Sequence, residues 1–254
     1  MDLKEYQNSL FSQRHPWELA RFEVMKDILS RRIGLDSVKR VADIGCGDAF
    51  VVDSLAAHMP KANLAAVDKN FTEVEKEQIL ASLQHPNITL LSDISELKSS
   101  PQNIDIVLLM DVIEHVEYDV DFLRQINSLP IITPNTLFFI TVPAFQSLFS
   151  EHDVFLNHFR RYNKTQLQAV LTQADLQVVQ SGYFFLSLLI VRSFQKLFRK
   201  DNTNGLNQSK TSAFGNKIVK LVLLIDYKFS SIFNKIGIRL PGLSLYALCQ
   251  KSAS

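Results

Sequence analysis

An apolar, β-prone run that begins at Val38 ends in Asp43-Ile44-Gly45-Cys46-Gly47-Asp48-Ala49-Phe50, and the residues after it are helix-like. Nothing else in the chain restricts its folding as strongly. Two glycines separated by one residue sit where a strand hands over to a helix. Glycine lets the backbone turn there with positive φ, and it lets a ligand come close to the main chain. Asp43, at the strand end, is placed to accept hydrogen bonds from such a ligand. The third glycine of the usual dinucleotide fingerprint is missing, because Asp48-Ala49-Phe50 takes its place. A second apolar run, Asn63 to Asp68, ends in an acid 21 residues after Gly47. An acid about 20 residues beyond the glycines is the expected ribose-hydroxyl ligand at the tip of the second strand. The alternative for Asp68 is a helix N-cap, since Lys69-Asn70-Phe71-Thr72 leads into the next helix.

The same alternation continues along the chain. Strands are expected at 38–44, 63–68, 88–92, 104–110, 136–142, 176–184 and 243–250, and helices at 16–33, 48–59, 72–83, 118–128 and 164–174. Nearly continuous apolar strands alternating with helices imply a parallel sheet covered on both faces, a doubly wound α/β fold. Asn163-Lys164-Thr165-Gln166 reads as an N-cap and its first turn. His58-Met59-Pro60 and Gln84-His85-Pro86 read as helix stops. With 254 residues, 46% of them hydrophobic, the chain suits one large domain or one domain plus an appendage. The two cysteines, Cys46 and Cys249, form no metal or disulfide pattern, so a reducing, cytoplasmic setting is expected. The charged start Met1-Asp2-Leu3-Lys4-Glu5 does not resemble a secretion signal.

Net charge is +1 but unevenly divided. Residues 1–182 carry 16 basic against 24 acidic side chains, and residues 183–254 carry 11 against 2. An acidic body thus continues into a basic, apolar tail, a pattern that suits an anionic partner surface. Within the tail, a polar loop over 200–210 joins apolar segments at 184–199 and 213–237. The second has Ile218, Leu221, Val222, Ile225, Phe229, Ile232, Phe233 and Ile236 at spacings of three and four, with Lys217, Lys220, Lys228 and Lys235 mainly opposite. That is a basic amphipathic helix, either docked on the sheet or lying on a membrane face. The longest uncharged run, Leu176 to Val191, has 16 residues, short of the ~20 needed to span a bilayer.

In an open α/β sheet, ligands sit outside the carboxyl ends of the strands. Asp43, Asp68, Asp93 and Met110-Asp111 end successive strands and would converge on one cleft. Asp43-x-Gly45-x-Gly47, Asp68, Ser92-Asp93 and Asp105-x-Val107-x-x-Met110-Asp111-Val112-x-Glu114-His115 resemble the class I S-adenosylmethionine-dependent methyltransferases over roughly residues 38–143. The resemblance implies a Rossmann-like seven-stranded sheet, mostly parallel, with an antiparallel last strand at Leu243–Gln250 and helices on both faces. It implies S-adenosyl-L-methionine as cofactor, with Gly45 and Gly47 at its methionine part, Asp68 at the ribose and Asp93 at the adenine. Asp43, Cys46, Lys69, Ile94, Met110 and Asp111 complete the expected cofactor set. Arg14-His15-Pro16-Trp17-Glu18-Leu19-Ala20-Arg21, Val142-Pro143-Ala144 with Glu151-His152-Asp153, and His158-Phe159-Arg160-Arg161-Tyr162 resemble a narrower bacterial subset, the type 11/12-like methyltransferases. Members of that subset are often found with cell-surface glycan or lipid biosynthesis.

Residues 143–162 follow the fifth strand and should overhang the acceptor side of the cleft. Methyl transfer requires alignment of the acceptor and removal of its proton. His152 or His158 is the expected base, with Asp153 orienting it. Arg160 or Arg161 is expected to grip an anionic substrate bidentately. Tyr162 and His115 join that wall, and His15 and Trp17 an N-terminal lid. The alternatives are structural: hydrogen-bonded histidines, a surface Arg-Arg-Tyr patch and simple packing of Trp17. The expected organisation is a helical lid at 1–35, the cofactor-binding core at 36–182, a basic amphipathic helical insertion at 183–240 and the final strand at 241–254. The expected function is O-methylation of a small-molecule, glycan or lipid-linked acceptor, with peripheral membrane contact through 184–237 and no DNA partner. No metal is required by this reading. Two alternatives remain open. Some quinone and RNA-end methyltransferases hold a divalent ion with an acid-x-x-Glu-His group, here Asp111, Glu114 and His115. A non-enzymatic scaffold would keep the sheet and bind a membrane or partner through the basic tail.

Overall fold

Strands too apolar to face water on either side form the middle of one sheet. The structure, a computed structural model, describes residues 14–99, 102–198 and 213–252. The strands are β1 (Arg40–Ile44), β2 (Asn63–Val67), β3 (Ile88–Leu91), β4 (Ile106–Met110), β5 (Leu137–Pro143), β6 (Leu176–Phe184) and β7 (Ser244–Lys251). They lie in the order β3-β2-β1-β4-β5-β7-β6. β1 to β5 are mutually parallel, with Val41 level with Leu64 on one side and Ile106 on the other. β7 runs antiparallel between β5 and β6, pairing Phe139 with Leu248 and Tyr183 with Leu245. This is the mostly parallel, seven-stranded arrangement that the strand pattern and the family resemblance implied, with its last strand reversed.

The helices are α1 (Pro16–Ser30), α2 (Phe50–Ala56), α3 (Glu73–Ser82), α4 (Asp119–Asn127), α5 (Glu151–Phe155), α6 (Lys164–Gln173), α7 (Leu186–Phe198) and α8 (Ala213–Lys235). Strand side chains alternate between two cores, as the two-residue period requires. Val41, Leu64, Leu108 and Phe139 pack under α1 and α2. Ala42, Ile44, Val107 and Phe138 pack under α4 and α6. Thr72 with Glu75 and Asn163 with Gln166 close capping boxes that start α3 and α6. α2 is shorter than the expected 48–59, because Ala49 takes a left-handed φ of 61° and belongs to the turn. α5 has no apolar period to announce it and rests on a Ser150–Asp153 capping box.

α7 and α8 form an excursion between β6 and β7. α8 packs on α1. The stripe that docks is not the most apolar one. Leu223, Tyr227 and Ser230 are buried, Tyr227 Oη donates to Asp27 Oδ2 at 2.5 Å, and Lys220 pairs with Glu23 at 3.4 Å. The most apolar stripe stays largely in solvent, from 47% exposed at Ile218 to 68% at Ile236, with Phe233 alone of its eight residues half-buried. Polar pairing with α1 selects the docked face. The expected loop at 200–210 and the charged start of the chain lie outside the described residues. No helix among the described residues is long and apolar enough to cross a membrane.

The entry into β7 depends on one residue without a side chain. A Cβ on Gly242 would stand 2.2 Å from the Phe184 carbonyl oxygen and 2.5 Å from its carbon. Backbone atoms at the end of β6 cannot step aside as a flexible side chain would. Gly242→Ala is therefore expected to destabilise the protein by about 3 kcal/mol. Urea unfolding checks this, and an unchanged midpoint would refute it.

Candidate active site

The strand order places the crevice. β2 and β3 extend the sheet one way from β1, and β4 and β5 the other. The connections after β1 and β4 therefore diverge and leave an opening between them. Three residues of the turn after β1 are left-handed, Gly45 at φ 73°, Gly47 at φ 58° and Ala49 at φ 61°. Gly45 N–H and Cys46 N–H both donate to Val67 O, at 2.8 and 3.2 Å, which draws the turn against the end of β2. A Cβ on Gly45 would lie 2.7 Å from Val112 Cγ2, so glycine is needed for space as well as for φ. Gly47 N–H donates to Asp68 Oδ2 at 3.0 Å, and Asn70 N–H to Asp68 Oδ1 at 3.0 Å. Asp68 thus caps the next segment and fixes the turn at once.

Asp43 is buried, and its Oδ2 finds no hydrogen-bond partner among the described residues. Burial, reinforced by the carboxylates of Asp68 and Asp48, pushes its carboxyl up to about 7. Asp111, just past β4, has φ 56°. Its Oδ1 accepts from Thr141 Oγ1 at 2.8 Å, and its Oδ2 is paired with Arg21. Asp48 is paired with Arg14 in the same way. Arg21 also lies over the Trp17 ring, 4.3 Å from its centroid. α1 and the residue pair before it therefore reach from the glycine turn to the end of β4, held at both ends by an arginine on an acid. Arg14 and Arg21 neutralise Asp48 and Asp111, which leaves Asp43 and Asp68 as the acids of the crevice without a basic partner among the described residues. An unpartnered buried acceptor on Asp43, a turn shaped by glycine and the carboxylate of Asp68 fit a polar ligand that carries positive charge.

The other expected cofactor residues are less central. Asp93 is exposed and accepts from Ser95 N–H at 2.7 Å, so it caps the short turn at Ile94–Ser99. Hydrogen bonds from Ser95, from its side chain first and then its backbone, hold the Asp93 carboxyl below the usual range. Lys69 is exposed, Ile94 and Met110 are half-buried, and Cys46 is buried.

Residues 143–162 fold back on the segment after β4. Phe159 N–H donates to Glu114 O at 2.8 Å. Tyr162 is buried, and its hydroxyl donates to Asp119 Oδ2 at 2.7 Å. Burial and that carboxylate push the phenol well above its ordinary range. Arg160 engages Asp119 Oδ2 at 3.0 Å and Glu117 O at 2.7 Å. Arg161 forks onto Asp153, with Nε to Oδ1 at 2.7 Å and Nη2 to Oδ2 at 3.0 Å. Both guanidiniums expected to grip a substrate thus hold internal carboxylates. Asp153 is fully buried and also takes His158 Nδ1 at 2.9 Å and Ser150 N–H at 2.9 Å. Burial opposes its ionisation, but His158, Arg161 and Ser150 overcome this and hold the carboxyl well below the carboxylate range. The His158 ring meets His115 edge-on at 4.5 Å. Glu114, His115 and His158 offer ligand atoms within 4.8 Å of one another. Glu114 is fully buried with both oxygens unpartnered among the described residues, and burial beside Asp111 pushes its carboxyl well up. His152 is half-buried near the same cluster, its imidazole pushed down by burial and by Arg192 against the opposing pull of Asp153. His15 caps α1 by accepting from Trp17 N–H at 3.4 Å.

An open parallel sheet with a glycine turn and acids at its switch point defines an α/β protein that binds a nucleoside-like cofactor. The methyltransferase-domain family matches residues 17–181. The chain belongs to the class I S-adenosylmethionine-dependent methyltransferases, and S-adenosylmethionine is the cofactor of that family. Among curated relatives, it is 28% identical to the ubiquinone biosynthesis O-methyltransferase of Rickettsia conorii over 139 residues, 55% of this chain and 44% of that one. It is 25% identical to the malonyl-[acyl-carrier protein] O-methyltransferase of Halalkalibacterium halodurans over 131 residues, 49% of this chain and 46% of that one. The matches thus span less than half the length of these relatives. A crystal structure of an S-adenosylmethionine-dependent methyltransferase from Archaeoglobus fulgidus shares the fold, with a TM-score of 0.51, 20% identity and coverage of 91% of this chain and 94% of that one.

Sequence reasoning passed over Arg21, Arg14 and Asp48, whose pairings join positions 34 to 90 residues apart. It also passed over Thr141, which faces Asp111 only because β4 and β5 are in register. The raised Asp43 carboxyl has a measurable effect. Its folded-state value lies above the unfolded value of about 4. Stability is therefore full below pH ~4 and is lost as pH rises toward 7, by up to about 4 kcal/mol. Asp43→Asn should abolish that part of the loss, so the variant should gain stability over the native chain between pH 5 and 8. Parallel pH–stability curves for the two proteins would refute the assignment.

Proposed function

We propose that this chain is an S-adenosylmethionine-dependent O-methyltransferase acting on a small-molecule or lipid-linked acceptor, with His158 as general base. The observation that carries the proposal is the Asp153-held imidazole of His158 beside the segment that follows β4. With Nδ1–H directed to Asp153, Nε2 is left as the proton acceptor. Asp153 is fixed by Arg161 and Ser150, so the ring is held before any acceptor arrives. His152 has no such carboxylate support, which favours His158 of the two histidines.

When bound, S-adenosylmethionine supplies a methyl group on a positively charged sulfur. Gly45 and Gly47 would admit it close to the main chain, Asp68 would take the ribose hydroxyls, and Asp43 would use its open oxygen. Asp43 and Asp68, the two acids there without an arginine partner, would favour the positive ligand over the neutral product. α1, tied down through Arg14 and Arg21, would act as a lid that limits water. His158 Nε2 would take the acceptor proton as its oxygen attacks the methyl. The two curated relatives, both named O-methyltransferases, support oxygen as the attacked atom.

A second reading rests on the Glu114–His115–His158 cluster, which has the donor set for a divalent ion near the acceptor oxygen. The two readings separate in one series. S-adenosylhomocysteine should bind the purified protein by calorimetry. Binding should weaken about tenfold or more in Asp68→Ala and in Gly45→Ala. His158→Ala should keep that binding and lose about 10²–10⁴-fold in turnover. Turnover that falls with a chelator and returns with added ion would favour the metal reading. No binding by the native protein would refute both.

The tail supports membrane contact at an inner, cytoplasmic face. α8 exposes Ile225, Phe229 and Ile232, α7 exposes Phe194 and Leu197, and Lys217 and Lys228 lie on the same exposed surface of α8. A basic, apolar face suits an anionic bilayer. The native protein should float with anionic vesicles, and Phe229→Glu with Ile232→Glu should abolish flotation. Equal flotation of both proteins would end the membrane proposal.

A further inference from the structure

The cofactor crevice and its lid leave one large feature unused. A cavity of about 500 Å³ opens at the outer edge of β6, between that strand, the start of α6 and the second half of α8. It shares no lining residue with the glycine turn or with the His158 cluster. Its volume is that of a small-molecule site. Three cations line it, Arg31, Lys164 and Arg239, and no aspartate or glutamate does. Lys164 and Arg239 also border a smaller recess beside it.

The charge balance is the informative part. Arg31 has an acidic partner in Asp27, at 2.6 Å. Lys164 and Arg239 pair with no carboxylate among the described residues. Burial and the nearby Arg239 guanidinium both push the Lys164 ammonium down. Lys164 is half-buried and Arg239 is exposed at the cavity mouth, and neighbouring cations repel unless an anion joins them. The wall also carries a group with a missing partner. Ser230 is buried, and its hydroxyl has no hydrogen-bond partner among the described residues. Gln180 is placed by its bond to Tyr246 Oη at 2.8 Å, and Asn234 stands exposed at the rim. The cavity therefore offers an unneutralised pair of cations and, beside them, uncharged hydrogen-bonding groups.

We propose that this cavity binds a phosphate ester, with the phosphate between Lys164 and Arg239 and the hydroxyl-bearing remainder against Ser230 and Asn234. A guanidinium and an ammonium suit phosphate oxygens better than any neutral ligand. The ester comes from a soluble metabolite or from a lipid headgroup.

Calorimetry with glycerol 3-phosphate and with inorganic pyrophosphate tests the first source. Flotation on phosphatidylcholine vesicles with and without phosphatidic acid tests the second. The proteins are the native chain, Lys164→Gln/Arg239→Gln, and Lys164→Arg as the conservative control, each checked for an unchanged melting curve without ligand. A soluble source predicts binding that weakens about tenfold or more in the double variant and survives in Lys164→Arg. A lipid source predicts flotation that requires phosphatidic acid and is lost in the double variant alone. Equal behaviour of native and double-variant proteins in both assays overturns the proposal, as does no binding in either. S-adenosylmethionine is left out of every arm, so the outcome is independent of the methyl-transfer reading.

Discussion

β1 pairs with β2 on one side and with β4 on the other, and the placement of every candidate residue depends on that double pairing. Because the sheet grows in both directions from β1, the chain leaves β1 and β4 toward opposite faces. The gap between those exits is where Gly45, Gly47, Asp43 and Asp111 meet. The left-handed turn at Gly45 is tolerated only because Val67 O accepts two N–H groups from it and Val112 fills the space a side chain would take. Shifting β4 by one residue would turn Val107 and Leu109 to the opposite core and carry Val112 away from Gly45.

The acceptor wall is built on the same frame at one remove. β5 ends at Pro143, and the chain from there to Tyr162 is pinned beneath the segment after β4 by Tyr162, Arg160 and the Phe159 amide. Four charged groups in this wall, Asp153, Arg161, Asp119 and Arg160, neutralise one another in pairs. Such pairs stabilise little when compared with apolar packing, but losing one member leaves a buried charge unpaired. The wall is therefore specified as a unit, and the His158 ring inherits its orientation from it.

The parallel strands and the cofactor turn were legible because their signals are local. Apolar runs, a Gly-x-Gly spacing and an acid at a fixed distance can each be read within a few residues. The Asn163 and Thr72 caps were legible for the same reason. What escaped was decided between distant segments. Arg14 and Arg21 meet Asp48 and Asp111 only after the sheet has formed. The face by which α8 docks on α1 was not legible, because apolar periodicity ranks stripes by hydrophobicity. Asp27 and Glu23 on α1, with Arg31 just past its end, instead select the stripe of Lys220, Tyr227 and Ser231. The Lys164–Arg239 cavity gave no sequence signal, since its two cations lie 75 residues apart, one at the start of α6 and one in the loop after α8.

β7 also sets an order of assembly. β6 has no strand neighbour except β7, and the free edge of β5 is covered by β7 alone. During synthesis β1 to β5 are complete long before residues 244–251 emerge. The half of the sheet that carries the glycine turn can therefore form from nearby segments. β6, α7 and α8 must wait, with an uncovered β5 edge beside them and the apolar stripe of α8 already made. A nascent chain at that stage shows an unpaired β5 edge beside an uncovered apolar helix stripe, the kind of surface a chaperone shields.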